Sequence, residues 1–188
     1  MVGILLAAGY GRRFGGDKLS HPLVDGLPMA VVAARALRAA CPHSVAVVRP
    51  EQVDLAGRFA AEGLTVVTCA AAREGMGYSL AAGVTATPEA AGWVVALGDM
   101  PFVQPGTLRQ VADALTDGAA LAAPFHAGRR GHPVGFAARW RDALRQLTGD
   151  AGARAILGAH GDLLWRIESD DAGVLRDVDT PEDLLRPA

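Results

Sequence analysis

The chain has 188 residues, of which 51% are apolar and 5% aromatic, with a formal net charge of −2. That length suits one domain, 1–188, with a sizeable core, and that apolar share excludes a disordered chain. Dispersed basic residues and scarce aromatics exclude nucleic acid as a partner, since binding it takes a basic face or a stacking platform. The chain opens on the apolar run Ile4-Leu5-Leu6-Ala7, which reads as a parallel strand buried on both faces. A loop follows with Gly9, Gly11, Gly15 and Gly16, and with Arg12, Arg13 and Lys18 among and after them. An alanine-rich apolar pattern predicts a helix over 28–40. A strand at 44–48, a helix at 51–62 and a strand at 64–68 come next. A helix opening at Ser79 runs to 86, followed by a strand at 93–97 and a helix at 105–115 with Pro105 in its first turn. Strands are expected at 119–124 and 133–136, helices near 140–147 and 151–159, a last strand at 163–167 and a closing helical turn at 181–185.

This alternation predicts an α/β fold, Rossmann-like, with a mostly parallel central sheet and helices on both faces. In such sheets ligands bind at the C-terminal ends of the strands, so functional residues should follow them directly. No apolar run approaches the roughly 20 residues of a membrane helix. The first residues lack the basic region and cleavage site of a signal peptide, so a cytoplasmic location is expected. Cys41 and Cys69 are isolated and read as buried small residues rather than a disulfide. His21, His43, His126 and His160 read as structural.

Residues with chemical potential cluster after the strands. Glycines after a first strand turn backbone N–H groups toward a ligand, and the cations beside them neutralise an anion, so 9–18 is a candidate phosphate cradle. Its spacing, Gly9-x-Gly11-x-x-x-Gly15, is neither the dinucleotide fingerprint nor a Walker A loop. Asp99, in Leu97-Gly98-Asp99-Met100-Pro101, is either a ligand for Mg²⁺ or a helix cap. In Asp177-Val178-Asp179-Thr180-Pro181, strand alternation puts Asp177 and Asp179 on one face. Either supplies a second metal carboxylate, and capping is compatible with that role. Gly75-Met76-Gly77-Tyr78-Ser79 is a second glycine-rich loop, with Ser79 a pocket residue or an N-cap. Arg130-Gly131-His132-Pro133 presents His132 ahead of a strand. Gly149-Asp150-Ala151-Gly152-Ala153-Arg154 offers an Asp at a helix start and an Arg one turn in.

Leu6-Ala7-Ala8-Gly9 through Arg13-x-Gly15-x-x-Lys18 resembles the signature loop of nucleotidyltransferases that make activated sugars and activated pterins. With Gly75-Met-Gly-x-Ser-Leu80, Asp99-Met-Pro101, Arg130-Gly-His-Pro-Val134, Gly149-Asp-x-Gly-Ala-Arg154 and Asp177-x-Asp-Thr-Pro-Glu-Asp183, the chain resembles molybdenum cofactor cytidylyltransferases from Gly3 to about 185. Gly98 stands where that branch often has Ala, and Met29 where Leu is common. Ala8 and Met100 replace the glycine and threonine usual in the guanylyl branch, which favours cytidine.

The resemblance implies a nucleotide-diphospho-sugar transferase-like fold and transfer of CMP from CTP to the terminal phosphate of molybdopterin, with Mg²⁺ and release of pyrophosphate. It implies Arg13 and Lys18 on the triphosphate, and Mg²⁺ on Asp99 and Asp179. Leu6, Ala7, Ala8, Gly9, Gly75, Gly77 and Ser79 would lie around base and ribose, and His132, Asp150 and Arg154 on the acceptor side. Arg13, Lys18 and Asp99 are the implied catalytic set, and a molybdoenzyme or its chaperone is the implied protein partner. A guanylyltransferase or sugar-1-phosphate nucleotidyltransferase on the same fold stays open. So does a non-catalytic delivery protein.

Overall fold

The computed structural model describes residues 1–11 and 14–184. In chain order its regular elements are β1 (Val2–Leu6), α1 (Met29–Ala40), β2 (Ser44–Val48), α2 (Val53–Ala61), β3 (Thr65–Thr68), α3 (Met76–Thr85) and β4 (Gly92–Leu97). They continue with α4 (Pro105–Thr116), β5 (Leu121–His126), β6 (Arg129–Arg130), β7 (Val134–Ala137), α5 (Arg141–Arg145), α6 (Arg154–Ala159) and β8 (Leu164–Glu168). Short 3₁₀ turns at Lys18–Ser20, Ala70–Glu74, Ala172–Leu175 and Pro181–Leu184 carry several site residues.

The strands form one sheet in the order β3-β2-β1-β4-β7-β5-β6, with β8 paired to β5. β3, β2, β1 and β4 run parallel, as does β8 beside β5, whereas β7 is antiparallel to both β4 and β5. The fold is thus the expected single-domain α/β type with a mostly parallel sheet. β1 reads as a continuous apolar run because both of its faces are covered. Leu5 packs with α1, α2 and α4 on one side, and Ile4 with α3, α5 and α6 on the other. On α1 the buried residues Met29, Ala30, Ala33, Ala34 and Leu37 recur at helical spacing and form the stripe that meets the sheet. Trp93 is fully buried in β4, and its indole N–H donates to Thr87 Oγ1 at 2.8 Å.

Two differences from the expected elements matter for the site. α3 begins at Met76, with Gly75 as its N-cap, so Ser79 lies inside the helix and is not a cap. α6 begins at Arg154, so Asp150 belongs to the preceding turn and Arg154 is the first helical residue rather than one turn in. The hairpin joining β5 to β6 was not anticipated. Its two turn residues, Ala127 and Gly128, both have positive φ, at 48° and 74°. A two-residue turn of that kind favours Asn-Gly or Asp-Gly, so alanine at its first position hides it in the sequence. Cys41 and Cys69 are buried free thiols. Among the described residues no helix is long and apolar enough to cross a membrane.

Candidate functional site

β1 and β4 are hydrogen-bonded neighbours that end side by side, at Leu6 and Leu97. The loops leaving them stay together, since Gly98 N donates to Leu6 O at 2.9 Å. Sheet register therefore sets Ala7-Ala8-Gly9 beside Gly98-Asp99. Lys18 lies on the 3₁₀ turn that ends the first loop and is only 7% exposed. Its close approach requires Gly11, where φ is +56° and a Cβ would come within 2.8 Å of the Lys18 Cβ. Arg13 lies outside the described residues.

The Lys18 ammonium donates to Asp99 Oδ2 at 2.8 Å and to Asp179 Oδ1 at 3.4 Å. Asp179 comes from the far end of the chain. It arrives because the 171–178 segment is threaded back along the sheet edge: Val178 N donates to Asp99 O at 2.9 Å, and His132 N to Val174 O at 2.9 Å. Gly131 and Gly173 allow this passage, since a Cβ on either would collide with the Val174 or Phe102 carbonyl. Asp171, 6% exposed, anchors the segment by accepting from Gln104 N, Thr107 Oγ1 and Gly173 N. The cap at the 181–184 turn is Asp183, whose Oδ2 accepts from Asp179 N, Thr180 N and Thr180 Oγ1. The Asp179 carboxylate itself accepts from the Lys18 ammonium. Asp177, the other candidate, is exposed on a cavity wall.

Two carboxylates converging on one cation form a hard-oxygen donor pair. That pair suits a divalent ion which takes its remaining ligands from phosphates and water. Among the described residues no group of three or more Asp, Glu, His or Cys side chains is placed to hold a metal ion.

Two cavities meet at Asp99. The first, about 340 Å³, is walled by Leu6, Ala8, Gly9, Lys18, Gly75 and Ser79, with Asp99 and Asp150 at its border. The second, about 560 Å³, has His132, Arg154, Arg130, Asp177 and Asp179 on its walls and shares Leu6, Met76, Leu97, Asp99 and Asp150 with the first. All three predicted acceptor-side residues thus line one cavity. Ala7 and Gly77 line neither. Ala7 is buried beside Gly98, and the Gly77 N–H is spent on Gly149 O at 2.8 Å. Gly75 and Gly77 are needed because the 148–150 turn presses on them. Gly75 has φ +137°, and a Cβ there would overlap Gly149, while a Cβ on Gly77 would lie 2.6 Å from Thr148 O. These glycines thus serve backbone packing and carry the 148–150 turn to the border of the two cavities.

His132 is half-buried, with its Nδ1 wholly enclosed and without a hydrogen-bond partner among the described residues. Burial pushes its pKa from the usual 6.5 down to about 4. The Arg130 and Arg154 charges add to that shift, and Asp99 opposes it. The ring is therefore neutral at pH 7. The other histidines sit elsewhere: His126 Nδ1 is 3.0 Å from Ser169 O, His160 packs on Trp140 and His21 on Phe14.

Sequence reasoning missed Arg49, Tyr10, Arg73 and Arg129. Tyr10 and Arg73 line the first cavity and Arg129 the second. Arg49 directly follows β2, and a lone cation after a strand was its only signal. Its Nη1 donates to Ala8 O at 3.1 Å and to Gly9 O, and its Nε pairs with Glu51 at 2.9 Å.

A family model described as the MobA-like NTP transferase domain matches residues 3–163. Purine catabolism protein PucB of Bacillus subtilis is 29% identical over 100% of this chain and 97% of its own length. Nicotine blue oxidoreductase of Paenarthrobacter nicotinovorans is 30% identical over 99% of this chain and 95% of its own. Among solved structures, Rv0371c of Mycobacterium tuberculosis superposes with a TM-score of 0.82 at 27% identity, covering 97% of this chain and 95% of that one; it has also been solved in complex with manganese. The chain belongs to the MobA-like NTP transferase domain family.

Proposed function

From that membership we propose that the chain transfers CMP from CTP to the terminal phosphate of molybdopterin or molybdenum cofactor, releasing pyrophosphate. The observation that carries this proposal is the pair of cavities meeting at Asp99, with Lys18 and Asp179 beside it. One cavity holds the nucleotide and the other the acceptor, so the two phosphates meet at their junction. Ala8, on the wall of the first cavity, stands where the guanylyl branch usually has glycine, and that difference supports cytidine.

The acceptor phosphate needs no general base, since its second pKa of about 6 leaves it largely dianionic at neutral pH. The protein must instead position two anions and neutralise their charge. Lys18 holds the triphosphate and follows the charge that develops on the departing pyrophosphate. Arg13 is proposed to grip the same phosphates bidentately. Asp99 and Asp179 would hold a divalent ion, taken to be Mg²⁺; manganese bound to Rv0371c supports a divalent ion at such a fold. When bound, that ion supplies Lewis-acid stabilisation of charge at the reacting phosphorus. Gly75 and Ser79, with Leu6, Ala8 and Gly9, enclose the nucleoside. His132, neutral and with its Nδ1 unspent, and Arg154 address the polar acceptor, and Asp150 stands between the sites. A molybdoenzyme or its chaperone is the proposed recipient of the product.

A pyrophosphate-release assay with molybdenum cofactor and each of the four NTPs tests the proposal. Release with CTP supports it. Preference for GTP replaces it with guanylyl transfer, and activity only with a sugar 1-phosphate replaces the acceptor. CTP binding without turnover leaves a delivery protein. NAD(P)H turnover, in line with the name of the oxidoreductase relative, would argue for redox chemistry, although the glycine spacing is not that of a dinucleotide loop.

A further inference from the structure

Arg49 stands behind the nucleotide loop. It lines a groove on the outer side with Asp17, Glu51 and Gln52, and it is absent from the walls of the 340 Å³ cavity. Ala8, Gly9, Tyr10 and Gly11 do line that cavity. The guanidinium side chain is 12% exposed and is fixed on three sides. Glu51 takes its Nε, the Tyr10 ring lies 4.2 Å from its Cζ, and its Nη1 donates to both Ala8 O and Gly9 O.

One nitrogen therefore gathers two successive carbonyls toward the outer groove, whose lining includes Arg49 while that of the cavity does not. The peptide bonds 8–9 and 9–10 are trans, since the cis bond among the described residues is His132–Pro133. In a planar trans peptide the C=O and the next residue's N–H point in opposite directions. Drawing the Ala8 and Gly9 carbonyls toward Arg49 thus turns the Gly9 and Tyr10 N–H groups toward the cavity. Among the described residues neither N–H has a backbone acceptor. Two adjacent, unspent N–H groups facing one way form an anion-binding concavity. It continues along the same wall to Lys18.

We infer that Arg49 is a positioning residue. By holding the Ala8 and Gly9 carbonyls from behind, it presents the Gly9 and Tyr10 N–H groups to the phosphate chain of the bound nucleotide. The inference rests on the nucleotide-site proposal above and assigns a device within it. Arg49 itself touches no substrate. Its contribution is preorganisation: without it the two peptide planes rotate freely, and the ligand must order them on binding.

The test compares the parent chain with Arg49→Met and Arg49→Lys. Inorganic tripolyphosphate with Mg²⁺ is titrated while the amide resonances of Gly9 and Tyr10 are followed, and CTP and cytidine affinities are measured in parallel. The parent should show both amides shifting with tripolyphosphate. Arg49→Met should lose at least about tenfold in tripolyphosphate and CTP affinity, a loss equivalent to the cost of ordering a short loop segment, with cytidine affinity within about twofold. Arg49→Lys should fall between the two, because one ammonium lacks the planar fork that spans carbonyls and carboxylate together. In the assay, KM for CTP should rise more than kcat falls. A lower melting temperature with unchanged tripolyphosphate affinity would reduce Arg49 to a structural role and overturn the inference. An equal loss for cytidine, or parent amides that ignore tripolyphosphate, would overturn it as well. A parent that binds tripolyphosphate at these amides but no NTP would refute the nucleotide proposal and leave the Arg49 device standing.

Discussion

Replacing Lys18 with methionine tests the centre of the site most directly. The change keeps the aliphatic stem and removes the ammonium that lies 2.8 Å from Asp99 and 3.4 Å from Asp179. At an effective dielectric near 20, the two contacts contribute roughly 6 and roughly 5 kcal/mol of gross attraction. Most of that is offset by the desolvation of a Lys18 side chain that is only 8% exposed. The two carboxylates are 26% and 31% exposed, so water screens what repulsion remains between them. The net loss should be about 2 kcal/mol, below the 3–5 kcal/mol typical of breaking a fully buried pair. For a chain of this size that lowers Tm by roughly 4–8 °C. The variant also removes one positive charge from between two carboxylates, so a divalent ion should stabilise it more than it stabilises the parent. The assay is a thermal melt of both chains in chelator and in millimolar Mg²⁺. A variant that melts with the parent in chelator and gains no more from Mg²⁺ would refute the account of Lys18 as the cation that joins Asp99 to Asp179.

Asp99→Asn should keep the fold and lower turnover by at least about a hundredfold, in line with the removal of one transition-state stabilising group. Asp179→Asn should be milder, because an amide oxygen still ligates, and near-normal turnover of Asp99→Asn at limiting Mg²⁺ would take Asp99 out of the metal site. Arg154→Ala should raise KM for molybdenum cofactor while leaving CTP affinity within about twofold, since uniform binding lost at one substrate appears in that substrate's KM. An equal loss for both substrates would reassign the second cavity. His132 is held neutral by burial, with a folded pKa of about 4 against the usual 6.5. Between those values the unfolded chain takes up a proton that the folded chain refuses, so this histidine's contribution to stability is present above pH 6.5 and is lost as pH falls toward 4. His132→Gln should therefore flatten the pH dependence of Tm across that window, and parallel melting curves for the two chains would contradict the burial of the ring.

The sequence alone was enough for the parts of the molecule written in local chemistry. The run at Ile4–Ala7 is apolar without alternation because β1 is covered on both faces, and β2 was legible at its observed bounds, Ser44–Val48. The parallel sheet followed from the alternation of strands and helices, and in such a sheet ligands bind at the strand ends, beyond which Lys18 and Asp99 are found. Short motifs also named His132, Asp150 and Arg154, which share one cavity wall.

What depends on distant parts of the chain was decided only in three dimensions. Lys18 meets Asp99 across 81 positions and Asp179 across 161, contacts that no local pattern encodes. They arise because β1 and β4 are neighbours in register and because the 171–178 segment is tied to the backbone at Asp99 and His132. The same tertiary pressure gave Gly75 and Gly77 a purpose their spacing did not reveal, the close approach of the 148–150 turn. Arg49 is the sharpest case. As a residue it is one cation after a strand, and its effect lies in two carbonyls 41 and 40 positions earlier that the fold places within its reach. Periodicity and turn chemistry act over a few residues and can be read from a string, whereas a side chain's partner is set by strand register and packing.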